Sequence, residues 1–288
     1  MNRRRFLGGL ATAAAAAPAL RAAAVREPDA LVDTNVWLGH WPTRRGWAAT
    51  PAQLAAKLRE HGVSSAWLGS FDAALHSDIA GANARLAAAC AREGAGLFAA
   101  FGALNPTLPD WEEDLRRCAE VHGMPGVRLL PGYHGYGLDD ARFARLLELA
   151  AARRLLVQIA VTMEDDRSQN PAFTAAPVNL APLADTLEKS PSARVMLLNA
   201  TSRLFGAGLP LLQRLSRAGV LMEIATLEGV AGIEQLLARA PAARLCFGSH
   251  SPYFYFEAAL LKLQESALSR DQLAGVRHGH ALAALSRP

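Results

Sequence analysis

From Ala30 to the C-terminus, short runs rich in Leu, Val and Ile alternate with Ala/Leu/Arg segments whose apolar residues recur at helical spacing. No other feature constrains the chain so strongly. Strand–helix units in series build parallel sheets with helices outside, because a parallel crossover needs a helix to bring the chain back. Strands are predicted at 30–36, 63–69, 96–102, 126–130, 155–161, 194–199, 219–225 and 244–248. Helices are predicted at 51–61, 77–93, 109–121, 139–153, 179–189, 207–217, 230–240 and 253–267, with a further one at 270–285. Eight such units match a closed barrel. An open doubly wound sheet would also need a Gly-rich phosphate turn after its first strand, and none is present. The expected fold is therefore α/β: a single (β/α)8 TIM-type barrel with an extra C-terminal helix. Local punctuation agrees, with Thr50-Pro51 opening the first helix, Gly62 closing it and Pro109-Asp110 opening the third. No solenoid-period repeat or Ser/Gly linker divides residues 25–288, which read as one domain.

Residues 1–24 read differently. Arg3-Arg4-Arg5-Phe6-Leu7 precedes an Ala-dominated run from Gly9 to Leu20, and small residues follow at Ala22 to Ala24. This resembles a twin-arginine signal peptide, which implies the twin-arginine translocase as a partner during export and a periplasmic mature protein. The competing reading is a membrane anchor. The run is shorter than the roughly 20 residues a spanning helix needs, so cleavage and no membrane association afterwards are expected.

The charge balance argues against one class of partner. A net charge of +4 includes Arg3, Arg4 and Arg5 of the leader, and only 7% of residues are aromatic. With basic residues scattered among acidic ones, no basic stripe with stacking side chains is available for nucleic acid. Cys90, Cys118 and Cys246 are odd in number and lie in apolar patterns, which speaks for buried thiols rather than a disulfide framework.

Chemistry in a β/α barrel gathers at the carboxyl ends of the strands. The first ends Val32-Asp33-Thr34-Asn35-Val36-Trp37-Leu38-Gly39, and the eighth ends Arg244-Leu245-Cys246-Phe247-Gly248-Ser249-His250-Ser251-Pro252. Both resemble the amidohydrolase-related family of metal-dependent hydrolases, and the resemblance covers nearly the whole mature chain. That family opens with Asp, one residue, then His-x-His and a Gly, and closes with Arg-x-x-Phe-Gly-Ser-Asp-x-Pro. On this frame the two histidines of the first strand fall at Asn35 and Trp37. The usual histidine of the fifth falls at Ala160, that of the sixth at Asn199, and the aspartate of the eighth at His250. The resemblance thus implies a hydrolase frame whose metal ligands are replaced, and no cofactor is expected. A catalytic zinc wants imidazole, thiolate or carboxylate donors, and amide, indole and methyl groups do not supply them. A shifted cation site would have to draw on His250, His134, His40 or an acidic residue.

The remaining polar residues at the strand ends each carry two readings. His250 is a general base near neutral pH or a hydrogen-bonded buried imidazole. Asp33 orients a neighbour or carries a proton, or else ties barrel backbone. Arg128 clamps a substrate carboxylate or forms an internal ion pair. Tyr133 and His134, in a glycine-rich loop after the fourth strand, touch substrate or pack the loop. Asn35, Gln158 and Asn199 hold an oxyanion or make a satisfied polar plug. Tyr253 to Phe256 cannot share one helix face, so some of these rings cover the mouth or a subunit contact, and the latter would make a homo-oligomer. Two functions follow from these readings. One is a periplasmic hydrolase of a small carboxylated ester, lactone or amide, working without zinc, with His250 and Asp33 catalytic and Asn35, Arg128, Tyr133, His134, Gln158 and Asn199 binding substrate. The other is an inactive barrel that binds a small molecule or a protein.

Overall fold

The computed structural model describes residues 30–48, 50–94, 96–205 and 207–286. The signal-peptide reading of residues 1–24 lies outside them. Eight parallel strands follow one another in sequence order: β1 (Leu31–Leu38), β2 (Val63–Ser70), β3 (Phe98–Leu104), β4 (Gly126–Leu129), β5 (Leu156–Ala160), β6 (Arg194–Leu198), β7 (Leu221–Glu223) and β8 (Arg244–Cys246). The eighth strand returns to the first. Thr34 N–H donates to the Phe247 carbonyl at 3.0 Å, Trp37 N–H donates to that of Ser251 at 2.8 Å, and Val36 bridges Ser251 in parallel. The expected (β/α)8 barrel is what the chain forms.

Strand alternation sorts the apolar residues into two cores. Val127, Leu129, Val157, Ile159, Val195, Leu197, Met222 and Leu245 face outward and pack beneath the helices. Trp67, Phe101, Leu156, Met196, Leu221 and Cys246 face inward and fill the barrel. By the same parity Arg128 lies between Val127 and Leu129, Gln158 between Val157 and Ile159, and Glu223 two residues after Leu221, so all three point inside. The polar inner positions therefore come from unbroken strand periodicity. β1 departs from it: its pairing with β2 shifts between Asp33 and Val36. Such a bulge turns backbone groups away from the ladder and re-aims side chains.

Several boundaries differ from expectation for identifiable reasons. The predicted helix 109–121 starts only at Trp111, because Asp110 has a left-handed φ of 59° that no helix can include, and its last turn, Arg117–Val121, is π-helical. β3 begins two residues late because Leu97 and Phe98 turn back onto the Gly94 carbonyl. The predicted helix 253–267 starts at Phe256, since Tyr253 and Phe254 both donate backbone N–H to the His250 carbonyl. The C-terminal helix is continuous from Arg270 to Leu285, with a π-helical turn at Gly275–Gly279. The first helix carries a capping box between Thr50 and Gln53, and Gly62 follows it with φ 73°. Three short helical turns, Phe71–Ala74 after β2, Pro131–His134 after β4 and Thr201–Leu204 after β6, lie outside the predicted helices. All three cysteines are free and buried. Among the described residues no helix is long and apolar enough to cross a membrane.

Candidate functional site

The carboxyl ends of the strands hold a closed polar network with aromatic rings above it. At its base lies Arg128, 1% exposed. Its Nε donates to Gln158 Oε1 at 2.8 Å, Nη1 to the Val36 carbonyl at 2.7 Å, and Nη2 to the carbonyls of Trp67 at 2.9 Å and Thr34 at 3.3 Å. Gln158 Nε2 donates to the same Thr34 carbonyl at 2.9 Å. The guanidinium lies 4.5 Å from the centre of the Trp37 ring. The bulge in β1 is what offers the Thr34 and Val36 carbonyls, and Gly69 leaves the room, since a Cβ there would sit 2.7 Å from Arg128 Nη1. The internal ion pair considered for Arg128 is thus corrected: its partners are carbonyl oxygens, and among the described residues it makes no ion pair. Burial lowers its pKa to about 9, with Asp33 and Glu223 pulling it back up.

Above Arg128, Asn35 Nδ2 donates to Asn199 Oδ1 at 2.8 Å and to Glu223 Oε1 at 3.3 Å, while its Oδ1 accepts the Trp37 indole N–H at 2.8 Å. Glu223 Oε1 also accepts the Asn199 backbone N–H at 2.5 Å, and Oε2 accepts that of Ala225. Asn199 Nδ2 donates to the Thr162 carbonyl at 2.8 Å and lies 3.4 Å from His250 Nδ1. His250 Nε2 is 3.0 Å from the Met163 carbonyl. Because a carbonyl only accepts, Nε2 carries the proton and Nδ1 is the bare nitrogen that Asn199 faces. His250 has no solvent exposure, and burial lowers its pKa to about 3 despite the Met163 bond.

Asp33 forms a side branch. Its Oδ1 accepts the backbone N–H groups of Asn35 and Ser249 at 3.1 and 3.0 Å, and its Oδ2 accepts the Ser249 hydroxyl at 2.5 Å. It thereby staples β1 to the end of β8, and burial raises its pKa to about 6. Glu223 is likewise raised to about 7 by burial, against the backbone N–H groups that favour its charged form.

The six strand-end residues Asp33, Asn35, Arg128, Gln158, Asn199 and His250 are therefore brought together, all buried. Tyr133 and His134 are not part of this network. His134 Nε2 meets the Ala73 carbonyl at 2.8 Å, and Tyr133 packs edge-on against Trp41 with ring centres 5.5 Å apart. Trp41 is the hub of a roof, with Phe71, Phe173 and Tyr253 also within 6.1 Å of its ring centre. Sequence reasoning did not single out Glu223, although its parity with Leu221 on β7 marks it as inward. It missed the parts of Trp41 and Glu164, because loop residues carry no periodicity that fixes their direction.

A surface cleft of about 400 Å3 lies between Glu148 and Lys189, beside the residues preceding β6, and so at the opposite end of the barrel.

The donor set does not fit a catalytic metal. No three His, Cys, Asp or Glu side chains among the described residues are arranged to hold an ion. Asp33 and Glu223, the two carboxylates of the network, have both oxygens bonded to protein donors, and the lone imidazole stands between Asn199 and Met163.

These features define a β/α barrel with a polar cup at the strand ends. The sequence profile of the amidohydrolase family matches residues 69–286, and the chain belongs to that family. No curated protein sequence matches it. Among solved structures it is similar to 2,6-dihydroxybenzoate decarboxylase from Rhizobium, at 13% identity and a TM-score of 0.66, over 89% of this chain and 98% of that one. It is similar to 5-carboxyvanillate decarboxylase from Novosphingobium aromaticivorans, in complex with manganese and a nitrobenzoic acid, at 15% identity and a TM-score of 0.68, over 88% and 95%. A third similar structure is an uncharacterised TIM-barrel protein from Bordetella bronchiseptica, at 13% identity and a TM-score of 0.63, over 90% and 100%. At these identities the likeness establishes the fold.

Proposed function

We propose that this barrel is an exported small-molecule binding module and that it does not carry out the hydrolysis associated with its family. One observation carries the reading: His250, the residue best placed to serve as a general base, has both ring nitrogens engaged inside the protein and none of its surface exposed. A general base needs a lone pair within reach of a water and a pKa near the working pH. His250 Nδ1 faces an amide N–H instead, and its pKa lies well below neutrality.

The groups that would hold an oxyanion are spent in the same way. The amide of Asn35 donates to Asn199 and Glu223, that of Gln158 to Thr34, and that of Asn199 to Thr162. Stabilising a developing charge requires donors aimed at free space, not donors already satisfied. The decarboxylase names of two solved relatives, one of them manganese-bound, do not transfer their chemistry here, because among the described residues no three His, Cys, Asp or Glu side chains are arranged to hold such an ion. Replacement of the family's ligands and export to the periplasm, which the sequence implies, belong to the same proposal.

The test is turnover by the mature protein, purified without chelator, on a panel of esters, lactones, amides and benzoic acids, alongside elemental analysis. The expected result is no rate above buffer and no stoichiometric metal. Steady turnover that His250→Ala removes, or stoichiometric zinc or manganese, would overturn the reading.

A further inference from the structure

The roof holds a buried carboxyl group with one unpartnered oxygen. Glu164, in the loop after β5, is 3% exposed, and its Oε1 accepts the Tyr253 hydroxyl while Oε2 has no hydrogen-bond partner. Among the described residues it forms no ion pair: the cation nearest in chain position, Arg167, pairs with Asp165, and Arg203 pairs with Asp166. Around it stand aromatic rings. Tyr253 is bonded to Glu164, Tyr133 lies near enough to feel its charge, and Trp41 packs against Tyr133, Phe173 and Tyr253 with ring centres 5.3 to 6.1 Å away. The Tyr133 hydroxyl and the Trp41 indole N–H are also buried without partners.

We propose that this roof is a binding site for a small organic cation, an amine or quaternary ammonium, with Glu164 as counter-ion and the rings of Trp41, Tyr133, Phe173 and Tyr253 as its walls. The inference rests on the binding-module reading and names the ligand class for it. A desolvated carboxylate with one bare oxygen is costly and is relieved best by an opposite charge. Aromatic faces favour the same ligand, since their quadrupoles attract cations, most of all ones too weakly hydrated to prefer water. The protein already uses this attraction at the rim, where Arg44 lies 4.8 Å from the Tyr253 ring centre. An aromatic carboxylate of the sort the decarboxylases take would set its anion against Glu164.

Intrinsic tryptophan fluorescence and calorimetry on the mature protein would test this with choline, benzylammonium, the neutral choline isostere 3,3-dimethylbutanol, and benzoate. Choline and benzylammonium should bind, the neutral isostere about tenfold more weakly, and Glu164→Gln should weaken choline by about tenfold while leaving the urea melt cooperative. Trp41→Leu offers a second variant, with the same loss expected. Failure of both ammonium ions to bind, equal affinity for the neutral isostere, or unchanged choline affinity in both variants would overturn the proposal. Benzoate binding without ammonium binding would sink this inference and leave the binding-module reading standing. Turnover that depends on His250 would do the reverse.

Discussion

Asn199 and His250, at the ends of β6 and β8, meet side chain to side chain with both backbones left-handed, at φ 54° and 56°. Asn and His tolerate that region better than other non-glycine residues, and β-branched residues do not. The contact of 3.4 Å is long, so the 3.0 Å bond to Met163 is the firmer anchor of the imidazole. The polar cup is thus built from two strand ends that turn abruptly, and its chemistry is coupled to its backbone shape.

This arrangement predicts acid sensitivity. The folded state holds His250 neutral to about pH 3, whereas an unfolded histidine takes a proton near 6.5. A depressed histidine pKa means that the unfolded chain binds the extra proton, so stability is lost as pH falls from 6.5 towards 3. The fully buried ring gives an upper figure of about 4 to 5 kcal/mol across that window. His250→Asn keeps a residue suited to positive φ and cannot take up a proton. Urea melts at several pH values should show a shallower acid branch for the variant, and identical branches would refute the assignment.

Arg128 should behave as a structural tie. Its removal leaves the carbonyls of Val36 and Trp67 without their side-chain partner inside a barrel where water cannot reach them. Arg128→Met is expected to cost about 3 to 5 kcal/mol, and Arg128→Lys nearly as much because an ammonium cannot reproduce the fork. Denaturant midpoints measure both. A loss under about 1 kcal/mol would mean that the carbonyls find other donors.

The barrel was legible because apolar runs report burial directly: 155–161 is apolar except at Gln158, 194–199 is apolar between Arg194 and Asn199, and they hold the strands Leu156–Ala160 and Arg194–Leu198. Parity also placed Arg128 and Gln158 inside. It could not say whether they face a ligand or one another, because that depends on the bulge in β1 that presents the Thr34 and Val36 carbonyls, a tertiary event with no local signature. Trp37, read only as a lost ligand, became the ring beneath the Arg128 guanidinium. The loops after β1 and β5 hide Trp41 and Glu164 for the same reason: their side-chain directions are set by what they meet.

Gly248 permits the close approach of β7 to the turn after β8. A Cβ at that position would fall 2.6 Å from Glu223 Oε2 and 2.8 Å from Glu223 Cβ. The carboxylate cannot retreat, since both its oxygens are fixed by backbone donors. Gly248→Ala should therefore destabilise the protein by about 1 to 3 kcal/mol, as overpacking in rigid cores does. A neutral effect in thermal unfolding would show that the network yields.

Glu223 offers the sharpest test of how the cup is wired. Every group that meets it is a donor: the Asn199 N–H and Asn35 Nδ2 at Oε1, the Ala225 N–H at Oε2. Glu223→Gln preserves shape but sets an NH2 group against a donor at one of the two positions, whichever way the amide turns. One backbone N–H then loses its acceptor in a site with no solvent exposure. The expected cost is about 1 to 3 kcal/mol. Asn199→Ala in the same background should be less harmful than in the parent, because the two residues share one network and their effects should not add. A double-mutant cycle by urea unfolding measures that coupling. Strict additivity would show that the carboxylate and the amide act independently, and the closed network described above would not hold.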